Sequence, residues 1–151
     1  MRDFIKRIAV MNTMYGLPVS DRATHFPGEP LIDRATKFQR TMADELDELD
    51  EIEGMVFDNE LPIAQVTAMA DLLGDIVVYA FSEAAKYGIP LDNVLSIIMD
   101  SNESKLGADG KPILNANGKF MKGPNYWKPE PKISALLLSI NANLSQLELN
   151  L

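Results

Sequence analysis

Between Arg40 and Lys86 the chain carries no Lys or Arg, while acidic residues are frequent along the same stretch. That stretch cannot neutralise its own negative charge with side chains, so where its acids point decides what they mean. Two helical patterns frame it. From Leu31 to Glu53 there is no Gly or Pro, and Phe38, Met42, Leu46, Leu49 and Ile52 recur at helical spacing. Gly54 fits the stop of that helix. A further helix is expected from about Pro62 to Tyr87, with Pro in its first turn, Gly88 just past its end and Pro90 beyond. It is apolar nearly all round, which implies burial.

The rest of the chain reads as more helix around one irregular stretch. Residues 2–14 suit a first helix, and Gly16, Pro18, Pro27, Gly28 and Pro30 mark the long connection after it, which also holds His25, the single histidine. Leu91 to Leu106 suits a helix with Val94, Leu95, Ile97 and Ile98 on its apolar face, closed by Gly107. Residues 107–132 change character: Asp109-Gly110 and Asn117-Gly118 are turn signals, so a long loop or small hairpin is expected. The Leu-rich tail, residues 133–151, suits a last helix that packs on the bundle or on a second subunit. The fold class expected is all-α, a bundle of four to five helices. A chain of 151 residues with 46% apolar content has enough for one domain with a real core and too little for two ordinary ones, so residues 1–151 are read as a single domain.

Composition narrows the chemistry. With no cysteine, disulfides, thiolate metal sites and a cysteine nucleophile are excluded. A net charge of -8 argues against gripping a nucleic-acid backbone, and an acidic protein that handles phosphates needs a bridging cation. The amino-terminal stretch is broken by charge and has no small-residue cleavage site, unlike a signal peptide. No uninterrupted run reaches the roughly 18 apolar residues of a membrane span, because Asp71, Asp75 and Glu83 interrupt the richest segment, so a soluble, cytoplasmic protein without a membrane partner is expected.

On a wheel centred on Leu49, Phe38, Met42, Leu46 and Ile52 fall within about 60°, Glu45 lies about 40° from the centre and Glu48 sits at the stripe's edge. Asp47, Asp50 and Glu51 lie off it and read as a solvated face. Asp44 is also off it, but stands four residues before Glu48, as a candidate base acting from the rim. In the next helix Asp71 and Asp75 are four apart and share a face with Leu72, Val78 and Tyr79. Burying carboxylates requires protonation, a basic partner or a metal, and no basic residue is near in sequence. An all-oxygen cluster of Glu45, Glu48, Asp71 and Asp75 suits Mg²⁺ or Mn²⁺. A di-iron bundle would bring Glu-x-x-His motifs, which a single histidine in a loop cannot supply.

Asn102 and Lys105 continue the line of Leu95 and Ile98 at the end of the fourth helix. The loop beyond brings Lys111, Lys119, Lys122, Lys128 and Lys132 together with Tyr126 and Trp127. Asn102, Lys105 and Lys122 are candidates for phosphate or base contacts, and Tyr126 and Trp127 for stacking. The bland alternatives are compensation of the helix dipole by Lys105 and packing of the aromatic loop. Neither a phosphate-binding loop nor a dinucleotide fingerprint is present.

Residues 45–48 match Glu-x-x-Glu, the first half of the signature of the MazG and phosphoribosyl-ATP pyrophosphohydrolase superfamily, which the chain resembles. In the second half, Glu-x-x-Asp, the position three before Asp75 is Leu72, and the nearest acid is Asp71. The stretches YGLPVSDRAT, SNESKLGADGKP and KGPNYWKPEP resemble a MazG-like subgroup with dUTP-hydrolysing members, so the likeness covers about residues 3–132. The resemblance implies a helical homodimer or homotetramer that cleaves nucleoside triphosphates between the α and β phosphates, with Mg²⁺ held by Glu45, Glu48 and Asp75, joined by Asp71, and with Glu48 or Asp44 orienting the water. The competing reading is a non-catalytic helical protein that binds nucleotide or metal as a regulator.

Overall fold

The computed structural model describes residues 2–24 and 29–149, and His25 lies outside them. Five helices follow one another: α1 (Arg2–Met14), α2 (Leu31–Phe57), α3 (Pro62–Lys86), α4 (Leu91–Glu103) and α5 (Glu130–Leu149). The all-α class is as the sequence indicates. The chain divides into two compact units, Met1–Gly88 and Ile89–Leu151.

In the first unit α3 is the shared partner, packing against both α1 and α2. Its last two turns form the core: Phe81 and Ala84 are buried, as are Leu72 one level lower and Ile8 of α1. The Phe4 and Phe81 rings meet edge to face, centroids 5.4 Å apart. Beside them the Asn12 amide, fully buried, donates to the Ser82 carbonyl at 3.0 Å and accepts from the Ser82 hydroxyl at 2.7 Å. Two polar side chains thereby satisfy each other inside an apolar seam and fix how α1 lies on α3.

α2 runs past the expected stop. Gly54 stays helical, and the chain turns only at Asp58 and Asn59, where Asn59 takes a left-handed φ of 54°. The amides of Asp58, Asn59 and Glu60 reach back to the carbonyls of Gly54, Val56 and Met55, closing the last turn. A glycine inside a helix costs only about 1 kcal/mol, which the continuing turns offset. So short a connection to Pro62 makes α2 and α3 an antiparallel hairpin.

The expected all-round burial of α3 is not found within the chain. Ile63 and Val66 are 70% and 63% exposed, Leu73 and Val77 about half, and α2 has no buried residue at all. An apolar face says that a helix wants a partner, not that the partner is in the same chain. By length and mean hydropathy (1.4) α3 is also the one described helix that could span a bilayer. That qualifies the expectation from interrupted runs, although Asp71, Asp75 and Glu83 are charges that a lipid-facing helix would bury at high cost.

In the second unit α4 and α5 pack together, with Val94 and Ser101 of α4 buried. α4 ends at Glu103, earlier than the sequence suggests, and residues 104–106 continue as turns. The expected hairpin is reduced to one isolated bridge, Leu114 to Phe120, around a turn whose Gly118 has φ +73° and whose Asn115 carboxamide accepts the Asn117 and Lys119 amides at 2.9 Å. The following loop is tied to the end of α4. Ser101 Oγ donates to the Trp127 carbonyl at 2.9 Å, the Trp127 amide donates to Ser104 Oγ at 3.3 Å, and the Gly123 amide donates to the Lys105 carbonyl at 2.8 Å. A Cβ on Gly123 would collide with the Leu106 and Lys105 carbonyls, so only glycine allows this approach.

Candidate metal centre

The α2–α3 hairpin puts the four predicted carboxylates on facing helices. Its packed line on α2 runs through Arg34, Phe38, Met42, Glu45, Ile52 and Met55, all half-buried, whereas Leu46 and Leu49 are exposed. The seam is therefore rotated from the Leu49-centred stripe towards Glu45. Glu45 is half-buried there, and its Oε2 is buried without a hydrogen-bond partner among the described residues. Asp75 is half-buried on α3, while Glu48, Asp71 and Asp44 are exposed at the rim, as are Asp47, Asp50 and Glu51.

The electrostatics show which of these acids are neighbours. The Glu48 carboxyl is pushed above the usual range, first by partial desolvation and then by the charges of Glu45, Asp75, Glu51 and Asp71. The Tyr79 phenol is pushed up as well, by desolvation first, then by the Glu45 charge and a hydrogen bond to that carboxylate, with Asp75 and Glu48 adding to it. Tyr79 is the residue of the site to which sequence reasoning gave no role beyond sharing a face with Asp71 and Asp75. The signal was its place one turn after Asp75 on the same line.

No lysine or arginine pairs with Glu45, Glu48, Asp71 or Asp75 among the described residues. Nor do three acidic or histidine side chains among them already stand in metal-ligating geometry. The hairpin thus gathers negative charge into one field without closing it into a ligand cage. Hard oxygen donors, mutual repulsion and a buried oxygen without a partner are what a divalent cation relieves, so the residues fit Mg²⁺ or Mn²⁺ by donor type and charge.

Nearer the open end of the same hairpin the charges are paired. The Arg34 guanidinium grips Glu83 with both forks, Nε to Oε1 at 2.7 Å and Nη2 to Oε2 at 2.9 Å. Lys86 Nζ donates to the same carboxylate at 2.8 Å, and Glu29 takes Lys37 and, at 3.9 Å, Arg34.

In the second unit Asn102 and Lys105 come together, Lys105 Nζ donating to Asn102 Oδ1 at 2.7 Å. They line a half-open cleft of about 270 Å³ with Leu106, Pro112, Ile113, Phe120 and Met121. The apolar wall was not foreseen, because its residues come from the turns flanking the bridge. Lys122 Nζ lies over the Tyr126 ring at 4.6 Å and Lys132 Nζ over the Trp127 ring at 3.5 Å. One face of the Tyr126 ring is thereby taken by a lysine of its own loop and one face of the Trp127 ring by a lysine in the first turn of α5, and neither ring is among the residues that line the cleft.

No protein-family model matches the chain, and no curated protein is significantly similar to it. Among solved structures it is similar to a candidate NTP pyrophosphohydrolase from Exiguobacterium sp. 255-15, at 19% identity and a TM-score of 0.49 over 90% of this chain and 94% of that one. The functional reading is carried by the side chains.

Proposed function

We propose that the chain is a Mg²⁺-dependent nucleoside triphosphate pyrophosphohydrolase that cleaves the bond between the α and β phosphates, releasing a nucleoside monophosphate and pyrophosphate. The observation behind this reading is the carboxylate field of the hairpin, which has no lysine or arginine partner among the described residues and contains a buried Glu45 oxygen without a hydrogen-bond partner among them. Glu45, Glu48 and Asp75 would hold the cation, with Asp71 at the rim. Bound there, Mg²⁺ supplies positive charge to the triphosphate and lowers the pKa of water at the site.

The chain's own groups then act as follows. Tyr79, one turn after Asp75 on α3, lies within the field of Glu45 and would help to position that carboxylate. Glu48, or Asp44 from the next turn, accepts a proton from the attacking water as its oxygen bonds to the α phosphorus and the bond to the bridging oxygen breaks. Asn102, Lys105, Lys122, Tyr126 and Trp127 remain the candidates for holding the phosphates or base of a nucleotide. The exposed apolar faces of α2 and α3 suit a homodimer or homotetramer, and a cytoplasmic location goes with this reading.

The test is incubation with Mg²⁺ and a panel of dNTPs and NTPs, assaying pyrophosphate separately from orthophosphate, with Glu48→Ala alongside. Pyrophosphate release that the variant loses supports the reading. No turnover of any nucleotide by folded protein contradicts it.

A further inference from the structure

We propose that the Arg34–Glu83 pair is a register clamp, which sets the heights at which Glu45 and Glu48 on α2 face Asp71 and Asp75 on α3, and that it thereby controls cation affinity without touching the cation. The inference rests on the metal-centre reading above.

Within the single chain the packing of α2 on α3 is shallow. This helix has no buried residue, and a face of half-exposed side chains lacks the interlocking that a close-packed core imposes. At one end the hairpin is held by the four-residue connection after Phe57. At the other, Arg34–Glu83 is the ion pair joining α2 to α3 among the described residues. The carboxylates lie between, with Arg34 and Glu83 about two to three turns beyond Glu45 and Asp75.

The clamp's geometry suits this role. A two-pronged guanidinium–carboxylate contact fixes distance and orientation together, which one ammonium contact does not. Both side chains are largely shielded, at 14% and 11% exposure, so the pair is not a loose surface contact. Lys86 supplies the second positive charge, donating to the same Glu83 Oε2 that Arg34 Nη2 holds. Asp71, Asp75, Tyr79 and Glu83 also follow one another at four-residue steps along α3, so a displacement at Glu83 passes directly along the line that carries the site.

The tolerance is small. One residue of slip moves a helix by about 1.5 Å, while Mg²⁺ demands oxygen ligands at about 2.0–2.1 Å in near-octahedral array. A neighbouring pin serves as the control. Asn12–Ser82 is as buried as the clamp and adjacent to it, but it joins α1 to α3 and leaves α2 untouched.

The experiment is an equilibrium Mn²⁺ titration followed by the EPR signal of free Mn²⁺, on wild type, Glu83→Gln, Arg34→Lys and Ser82→Ala, at a temperature where circular dichroism shows native helix content for each. Wild type and Ser82→Ala are expected to bind alike. Glu83→Gln should bind several-fold more weakly, with Arg34→Lys in between. The clamp is overturned if folded Glu83→Gln and Arg34→Lys bind as wild type does, or if Ser82→Ala weakens binding as much as they do. Should Glu83→Gln fail to fold, Arg34→Lys decides by the same criterion. If wild type itself binds no Mn²⁺, the metal-centre reading fails and the clamp falls with it.

Discussion

The α2–α3 hairpin holds two sets of acids in opposite conditions. Towards its open end Glu29 and Glu83 meet Arg34, Lys37 and Lys86, and each carboxylate has a cation. In its middle Glu45, Glu48, Asp71 and Asp75 have none among the described residues, and the Glu48 carboxyl is raised by desolvation first and then by its acidic neighbours. The same pair of helices thus uses acids as ties where the sequence supplies bases and leaves them in mutual repulsion where it supplies none. The first arrangement ties the chain together, and the second works against it, a cost that the proposed cation would relieve.

The comparison can be broken from either side. The largest expected effect is on turnover: Glu48→Ala should lower Mg²⁺-dependent pyrophosphate release by roughly 10²–10⁴-fold, the range for losing a group that moves a proton, with the helix content retained. Next, Glu83→Ala should lower stability by about 3–5 kcal/mol in urea unfolding, because it leaves the shielded Lys86 without its carboxylate and Arg34 with only the longer contact to Glu29. In the second unit Gly123→Ala should cost about 1–3 kcal/mol by forcing the loop off the Lys105 and Leu106 carbonyls, read as a lower midpoint of unfolding.

A fourth expectation concerns pH. Glu48 has a higher proton affinity in the folded chain than its ordinary 4.5, so its contribution to stability is fully present below that value and is lost as pH rises through the raised one. In metal-free protein this one contribution should therefore fall on going from acid towards neutral pH, so that the difference in melting temperature between wild type and Glu48→Gln changes across that range. The smallest effect belongs to Asp47→Asn on the solvated face of α2, expected within about 0.5 kcal/mol of wild type and without effect on turnover.

Much of this was legible in the chain. Pro62, Gly88 and Pro90 delimit α3 because proline and glycine act through local backbone geometry. Glu45 was legible because its spacing from Leu49 keeps it near the packed face, even though the seam proved to be rotated towards it. Three things were not. Gly54 looked like a stop, but continuing turns override a small local penalty. The apolar surface of α3 was read as internal, since hydropathy does not say which chain will cover it. Arg34–Glu83 joins residues far apart in sequence, and no local pattern announces a pair made across a hairpin. In sequence Glu83 was merely a charge interrupting an apolar run.

The most direct test of the contrast is thermal unfolding with and without Mg²⁺, comparing wild type with Glu45→Gln/Asp75→Asn. Wild type is expected to gain stability progressively with Mg²⁺, because an ion that binds only the folded chain shifts the equilibrium towards it. The double variant should start more stable than wild type without metal and gain nothing when it is added. Equal responses of the two proteins to Mg²⁺, or a metal-free double variant less stable than wild type, would contradict the claim that these acids are held in repulsion for a cation.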